Sequence, residues 1–185
     1  YVDYQDIRVR EIGMDLAYFD HLKRLAENLE HPVLESLVTL TIDCYNVITV
    51  ERALSLKKPG SFMKQLLSDA GTLSAREVIQ CVEQGNLISW FQQVNPLPYD
   101  VELTRYEEQM RAGRVSAETV EYLEHVIKYR ILEQASFETD GPLPLARYLF
   151  GKELEVKNLR LVLTGLDNQL PIDKIKERMR PIYGQ

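Results

Sequence analysis

The chain is poor in the residue types on which most metal and redox sites depend. Its two cysteines, Cys44 and Cys81, form no CxxC pair, and none of its three histidines has a second ligand at metal-binding spacing. This pattern excludes a disulfide scaffold and predicts two reduced, buried thiols. His21, His31 and His125 are expected to be surface or hydrogen-bonded residues, so no metal site is predicted.

Catalytic motifs are also missing. Gly151-Lys152 lacks the upstream glycine and the spacing of a phosphate-binding loop, and the sequence contains no GxSxG nucleophile elbow. The acidic ridge of Glu118, Glu121 and Glu124 is interpreted as the solvent-facing side of a helix. We therefore predict no catalytic residue and no cofactor, and expect the protein not to be an enzyme.

Positive charge is scarce, with 22 Lys+Arg against 28 Asp+Glu among 185 residues, which gives a formal net charge of −6. A nucleic-acid partner is not expected, since such binders cluster Lys and Arg against phosphates. Docking on anionic lipid is disfavoured for the same reason. No stretch approaches 18 consecutive apolar residues, so direct lipid insertion is not expected. The sequence opens at Tyr1 and not at Met, which predicts a fragment or a trimmed chain.

What the chain has in abundance is apolar residues at helical spacing. Five stripes recur at steps of three and four residues, and each is expected to pack on a neighbouring element. They are Leu16/Phe19/Leu22/Leu25/Leu29, Leu34/Leu37/Thr41/Tyr45/Ile48, Val120/Leu123/Ile127/Ile131, Val156/Leu159/Leu163/Leu166 and Ile172/Ile175/Met179/Ile182.

One segment gives conflicting signals. Residues 39–50 are rich in β-branched types, which favour a strand, but the stripe that enters from Leu34 and the lack of turn residues before Lys57 favour a helix. We predict a helix.

Ser74 with Glu77 fits a capping box, and Ser116 is the predicted cap of a long helix. No run of short strands separated by hairpin turns is present, so the predicted fold is all-α.

A faint internal repeat joins two parts of the chain. Asp43-x-x-Asn46 precedes Leu73-Ser74, and Glu155-x-x-Asn158 precedes Leu170-Pro171. Each copy places an acid and an amide one turn apart on a helix, followed by a turn and a capped amphipathic helix. The pattern predicts a protein assembled from repeated small helical bundles.

These residues resemble a known family. Ile42-Asp-Cys-Tyr-Asn46 with Glu51-Arg-Ala53, and Gly151-Lys-Glu-Leu-Glu-Val-Lys-Asn-Leu-Arg160 followed by Leu170-Pro171 and Ile175, are similar to the C subunit of the vacuolar/archaeal-type rotary ATPase, which in eukaryotes is the d subunit. Asp15-Leu-Ala-Tyr-Phe19 resembles the opening of that family's middle bundle. The likeness begins at about Asp15 and lacks the family's first bundle.

The resemblance implies a fold, an organisation and a function. Residues 1–97 would form the middle helical bundle, and residues 98–185 the long connecting helices and the C-terminal bundle, of a funnel-shaped socket. The protein would be a non-catalytic, peripheral part of the central stalk at the cytoplasmic face of the membrane. Its expected partners are the central axle subunits and the membrane rotor ring. Without the first bundle, an exposed apolar edge and self-association are expected.

The polar residues of the two motifs allow two interpretations. They either make hydrogen bonds to neighbouring helix ends within a bundle, or line the socket and contact the axle. The predicted set is Asp43, Asn46, Arg52, Lys152, Glu155, Asn158 and Arg160.

Two other classes of function stay open. A helical-repeat adaptor unrelated to rotary ATPases would show the same stripes, and an enzyme would need a metal or a cluster of perturbed ionisable groups.

Overall fold

A computed structural model describes residues 7–94, 108–112, 116–134 and 136–182, and the side chains of all of these except residues 7–10 and 93–94. Within these ranges the chain forms helices, turns and loops and contains no strand, which confirms the all-α prediction. The helices are α1 (Ile7–Asn28), α2 (Pro32–Ser55), α3 (Gly60–Lys64), α4 (Ala75–Glu83), α5 (Leu87–Val94), α6 (Ala117–Gln134), α7 (Leu143–Asp167) and α8 (Ile172–Glu177).

The chain divides into two compact units, Tyr1–Glu121 and Tyr122–Gln185. The division falls inside α6. The boundary predicted between residues 97 and 98 lies outside the described residues and stays a prediction.

Helix α2 is the core of the first unit and packs against α1, α3 and α4. The β-branched stretch of residues 39–50 lies within it, so the helix prediction for that stretch is confirmed. Its buried side chains project on several sides, because neighbouring helices cover it from more than one direction. They are Leu40, Ile42, Asp43, Cys44, Asn46, Val47, Ile48, Val50 and Ala53.

By length and composition, α2 is also apolar enough to cross a membrane, a property that a criterion of unbroken apolar runs misses. A helix at the centre of a folded unit passes the same test. Since α2 contacts three other helices of its unit, its composition is explained by burial among them.

Both cysteines are reduced, as predicted, but only one is fully buried. Cys44 lies in the core of the first unit, whereas Cys81 on α4 is half-buried. Burial and the charge of Glu77 raise the pKa of the Cys81 thiol. A raised pKa keeps the thiol protonated and therefore unreactive at pH 7.

Helix starts follow the sequence signals. Ser74 forms the predicted capping box, since its hydroxyl accepts a hydrogen bond from the Glu77 amide while the Glu77 carboxylate accepts one from the Ser74 amide. The hydrogen bonds from Ser74 lower the pKa of the Glu77 carboxyl. At the start of α6 the amide of Thr119 donates to the Ser116 hydroxyl at 3.3 Å, which confirms that cap.

The predicted apolar stripes differ in how far the structure buries them. Val120, Leu123, Ile127 and Ile131 of α6 are all buried, as predicted. The stripe of α7 is wrong as a packing prediction, because all four of its residues are exposed: Val156, Leu159, Leu163 and Leu166. The buried side of α7 carries a different set, namely Leu143, Gly151, Leu154, Asn158 and Gly165. Periodicity therefore marked the apolar faces but could not tell which of two such faces the fold covers.

The remaining stripes are covered in part. Phe19 of α1 is buried and lies against the ring of Tyr45 with ring centroids 4.6 Å apart, whereas Leu25 and Leu29 are exposed. In the C-terminal stripe Ile175 is buried, whereas Ile172 and Ile182 are exposed.

Candidate functional site

The first predicted acid–amide pair lies on the buried side of α2. The side-chain amide of Asn46 donates to the carbonyl oxygen of Ser68 at 2.8 Å, and its oxygen accepts from the Ser68 amide at 3.0 Å. One buried side chain thus satisfies both main-chain groups of a residue 22 positions further along. We call this reciprocal pair the α2 clamp. It ties the loop after α3 to the middle of α2.

Asp43 lies one turn before Asn46 and holds the next part of the same loop. Its Oδ1 atom accepts a hydrogen bond from the amide of Thr72 at 2.7 Å. Gly71 passes so close that a Cβ atom there would lie 2.2 Å from this oxygen. Burial raises the pKa of the Asp43 carboxyl, and hydrogen bonds from Thr72 and Trp90 oppose that rise.

The second predicted pair behaves differently at its two residues. Asn158 donates to the carbonyl oxygen of Arg180 at 3.0 Å and accepts from the Arg180 amide at 2.8 Å, which makes an α7 clamp with the same spacing of 22 residues. Glu155 does not repeat the role of Asp43. It is partly exposed, and its carboxylate accepts from Lys152 at 2.8 Å on the same helix.

The two clamps belong to matching segments that lie 112 positions apart in the chain. Lys57 after α2 and Gln169 after α7 both adopt φ of 54°. In each case the amide of the following residue donates to the carbonyl oxygen five positions earlier, from Lys58 to Ala53 and from Leu170 to Gly165. These bonds define two Schellman endings with non-glycine residues in the left-handed position.

The same offset continues into the short helices. Pro59 is the N-cap of α3 and Pro171 the N-cap of α8, and the buried residues Met63 and Ile175 follow each proline by four positions. The predicted repeat is therefore present, but its alignment was wrong. The motif Leu170-Pro171 matches Lys58-Pro59, one short helix earlier than the Leu73-Ser74 cap with which the sequence pattern aligned it.

A buried histidine lies beside the α7 clamp. The Nε2 atom of His125 lies 2.6 Å from Lys157 Nζ, and Nδ1 lies 3.3 Å from Arg180 Nε. Burial, followed by the charges of Lys157, Arg180 and Lys128, lowers the pKa of His125 to about 3. The imidazole is therefore neutral at pH 7, and its single acceptor nitrogen takes a hydrogen bond from one of these two cations.

The other predicted site residues lie at the surface. Arg52 forms an ion pair with Glu121, and its side chain is 60% exposed. Lys152 and Arg160 are exposed on α7. The structure thus separates the predicted set into three buried residues that hold main chain (Asp43, Asn46 and Asn158) and four surface residues (Arg52, Lys152, Glu155 and Arg160).

Sequence reasoning missed the partners of the clamps. Ser68 and Arg180 contribute main-chain atoms, so their residue types carry no signal, and only the equal spacing from each asparagine could have indicated them. Among the described residues, no three His, Cys, Asp or Glu side chains are grouped so as to hold a metal ion. The chemistry of the site is that of hydrogen-bonded structural joints.

Two all-helical units with matching amide clamps define a repeat protein, and sequence comparison identifies its family. Residues 1–178 match the family described as ATP synthase (C/AC39) subunit, and the chain belongs to that family.

Relatives of known name agree with this assignment. The C subunit of the V-type sodium ATPase from Enterococcus hirae is 30% identical over 175 residues, which cover 94% of this chain and 52% of the relative. The C subunit of the A-type ATP synthase from Pyrococcus horikoshii is 23% identical over 175 residues, or 93% of this chain and 47% of the relative. The chain therefore spans about half the length of these relatives. No solved structure gives a significant match.

Proposed function

We propose that this chain is part of a non-catalytic central-stalk subunit of a V/A-type rotary ATPase. It would couple the rotating axle to the membrane rotor ring, so that ATP hydrolysis or synthesis is linked to proton or sodium transport. The observation that carries the proposal is the family match over residues 1–178, together with relatives that are C subunits of both V-type and A-type enzymes.

The construction of the chain suits a part that transmits torque. Such a part must resist bending, and densely packed helices transmit strain because their interiors compress little. The two clamps add stiffness at the corners, where the chain leaves a long helix and returns. A buried amide that makes two hydrogen bonds to one residue restrains both the position and the orientation of that loop.

The proposed role needs no chemistry on this chain. The buried polar residues Asp43, Asn46 and Asn158 are engaged in hydrogen bonds to main chain, which supports a structural and not a catalytic use. ATP hydrolysis and ion movement would belong to other subunits. We accordingly propose a peripheral location at the cytoplasmic face of the membrane, with the axle subunits and the rotor ring as partners.

The first test is recovery of the assembled complex. The protein would carry an affinity tag at its natural locus, and membranes would be solubilised in mild detergent before capture and mass spectrometry. Co-purification of the axle subunits together with the rotor ring is the expected result. Capture of unrelated proteins without either partner would contradict the proposal and favour the adaptor interpretation.

A second test separates coupling from catalysis. Depletion of the protein should abolish ATP-driven ion transport in membrane vesicles, while the detached catalytic head continues to hydrolyse ATP. Restoring the protein should restore transport. If depletion instead abolished ATP hydrolysis by the isolated head, the non-catalytic assignment would be wrong.

Surface arginines can then locate the contacts. Charge reversal at Arg52 or Arg160 removes an exposed cation, and Arg76→Glu on α4 is a matched control outside the predicted set. If either arginine contacts the axle or the ring, its variant should retain less of that partner than the control does. Equal retention by all three variants would exclude both arginines from the interface.

A further inference from the structure

The imidazole of His125 is surrounded by positive charge. Lys157 on α7 and Arg180 after α8 contact its two ring nitrogens, and Lys128 on α6 is close enough to help lower its pKa. His125 is only 7% exposed, whereas Lys157 and Arg180 are half-buried. All four residues belong to the second compact unit. A buried neutral ring therefore lies beside cations that solvent still reaches.

The contact distances indicate which ring nitrogen carries the hydrogen atom. A neutral imidazole has one N–H donor and one acceptor nitrogen. The Nε2 atom of His125 lies 2.6 Å from Lys157 Nζ, which is too close for two donors, so Nε2 accepts a hydrogen bond from the ammonium group. Nδ1 then carries the hydrogen, and it lies 3.3 Å from Arg180 Nε, which is also a donor. Two N–H groups thus lie side by side.

This pair of donors lacks both an acceptor and a negative charge. Neither N–H group has an acceptor among the described residues once Nε2 is the accepting nitrogen. Two of the three cations are neutralised on their own helices, since Lys128 pairs with Glu124 and Lys157 lies 2.7 Å from Glu153. Arg180 makes no ion pair with a described residue. An oxyanion would supply the missing acceptor and the missing charge together.

We propose that His125 Nδ1 and the guanidinium group of Arg180 bind one oxyanion, a carboxylate or a phosphate group. One of its oxygens accepts from both N–H groups, because two donors 3.3 Å apart can each lie about 2.9 Å from a common acceptor. The Nη atoms of Arg180 make no hydrogen bond to a described residue and are available to a second oxygen. The charge of Lys157 acts from the other side of the ring.

The α7 clamp positions this site. Asn158 holds the main chain of Arg180 through two hydrogen bonds, so the residue that carries the guanidinium group is fixed before a ligand arrives. Donors that are held in place lose little entropy on binding. The first unit has Ser68 at the matching position, so the oxyanion site distinguishes two corners that are otherwise alike. The site does not rest on the proposed stalk function, and either can fail without the other.

NMR of the full-length protein with isotopically labelled histidine is the first test. At pH 7 the hydrogen of His125 should be on Nδ1 and not on Nε2. An oxyanion at the site should move the Nδ1–H resonance downfield, because hydrogen bonds to charged acceptors are short and strong. A ring that carries its hydrogen on Nε2 has no pair of donors and would overturn the proposal.

Inorganic phosphate then separates two sources of the oxyanion. If the site takes a free ligand, the downfield resonance should appear during a phosphate titration and saturate, whereas sodium chloride of equal ionic strength should not produce it. If a carboxylate elsewhere in the same polypeptide fills the site, the downfield resonance should be present without phosphate and unchanged by it. Its absence under both conditions would show that water alone satisfies the donors, and the proposal would be wrong.

Substitution of Arg180 tests the second donor. Its clamp bonds use only main-chain atoms, so Arg180→Gln removes the guanidinium group and keeps the groups that Asn158 binds. This variant should bind phosphate more weakly by about tenfold or more, or lose the downfield resonance if a carboxylate fills the site. Arg178→Gln is the control, because Arg178 is an exposed cation of the same segment. Equal effects of both variants would indicate only a diffuse attraction to positive charge and would contradict the proposal.

Discussion

Asn46 and Asn158 lie 112 positions apart, and each makes the same two hydrogen bonds to the main chain of the residue 22 positions beyond it. The flanking geometry agrees, with a left-handed residue after each long helix and a proline before each short one. The same corner, in which a long helix ends and a clamped short helix follows, therefore occurs twice in the chain. The amide is its most specific component, because a single side chain supplies both a donor and an acceptor.

Removing the first amide should destabilise the chain markedly. Asn46→Ala leaves the amide and the carbonyl of Ser68 without their partner in a buried place, and each unsatisfied group costs about 1–3 kcal/mol. Urea unfolding followed by circular dichroism measures the loss. Asn168→Ala is the control, because the exposed Asn168 side chain donates to the carbonyl oxygen of Thr164, four positions earlier in the chain. Equal stabilities of the two variants would contradict the importance of the clamp.

The two corners differ in one pair of residues that pack together. A Cβ atom added at Gly165 would lie 2.7 Å from Cδ1 of Ile175, whereas the matching pair in the first unit is Ala53 with Met63. Gly165→Ala should therefore destabilise by about 1–3 kcal/mol. Ile175→Met should relieve much of that loss in the double variant, because unbranched methionine adapts its shape. Gly13→Ala, with open space around it, is the control.

A double variant as unstable as the sum of the two single variants would contradict this packing account. Thermal unfolding of the four chains completes the cycle and isolates the interaction between the two positions.

Stability should fall in acid because of His125. Its pKa is about 3 in the folded chain against 6.5 when exposed, so the folded state binds fewer protons between those values. The contribution of neutral His125 to the free energy of unfolding is fully present above about pH 6.5. It is lost as the pH falls towards 3, by at most about 1.4 kcal/mol per pH unit. Unfolding free energies at several pH values give this slope.

Other groups also titrate in that range, so the useful quantity is a difference between two chains. His125→Gln keeps a polar side chain but cannot take up a proton, and its stability should depend less on pH than that of the wild type. The same slope for both chains between pH 6.5 and 4 would show that His125 is not the group responsible.

The ion pair of Arg52 with Glu121 should matter little for folding. Both side chains are well exposed, at 60% and 38%, and exposed pairs contribute about 0–1 kcal/mol. Arg52→Ala should therefore unfold within about 1 kcal/mol of the wild type. High salt should leave that difference unchanged or reduce it. A larger loss would show that the pair is a structural element of the first unit.

The sequence predicted the helices well because helix formation depends on near neighbours. The stripe of α6 and the capping box at Ser74 are local patterns, and tertiary packing agreed with them. The α7 stripe shows the limit. Val156 and Leu163 have the spacing of a buried face, but whether another helix covers that face depends on distant parts of the chain or on another molecule. Periodicity contains no information about the neighbour.

The clamps show a different limit. Asn46 and Asn158 were indicated by their motifs, whereas Ser68 and Arg180 were not, because hydrogen bonds to main chain leave the side chain undetermined. The predicted alignment of the repeat was also shifted. The sequence pattern aligned Ser74, which caps α4, with Pro171, whereas in the structure Pro59 has the position that Pro171 repeats.

The main-chain character of the clamps has a consequence for how the protein can change. Neither clamp depends on the residue type of its target, because Ser68 and Arg180 contribute only main-chain atoms to the clamp bonds. The number of residues between clamp and target has no such freedom, since inserting one residue would offer the asparagine the wrong peptide group. Each corner therefore depends on the number of residues between the asparagine and its target, and not on the residue type of that target.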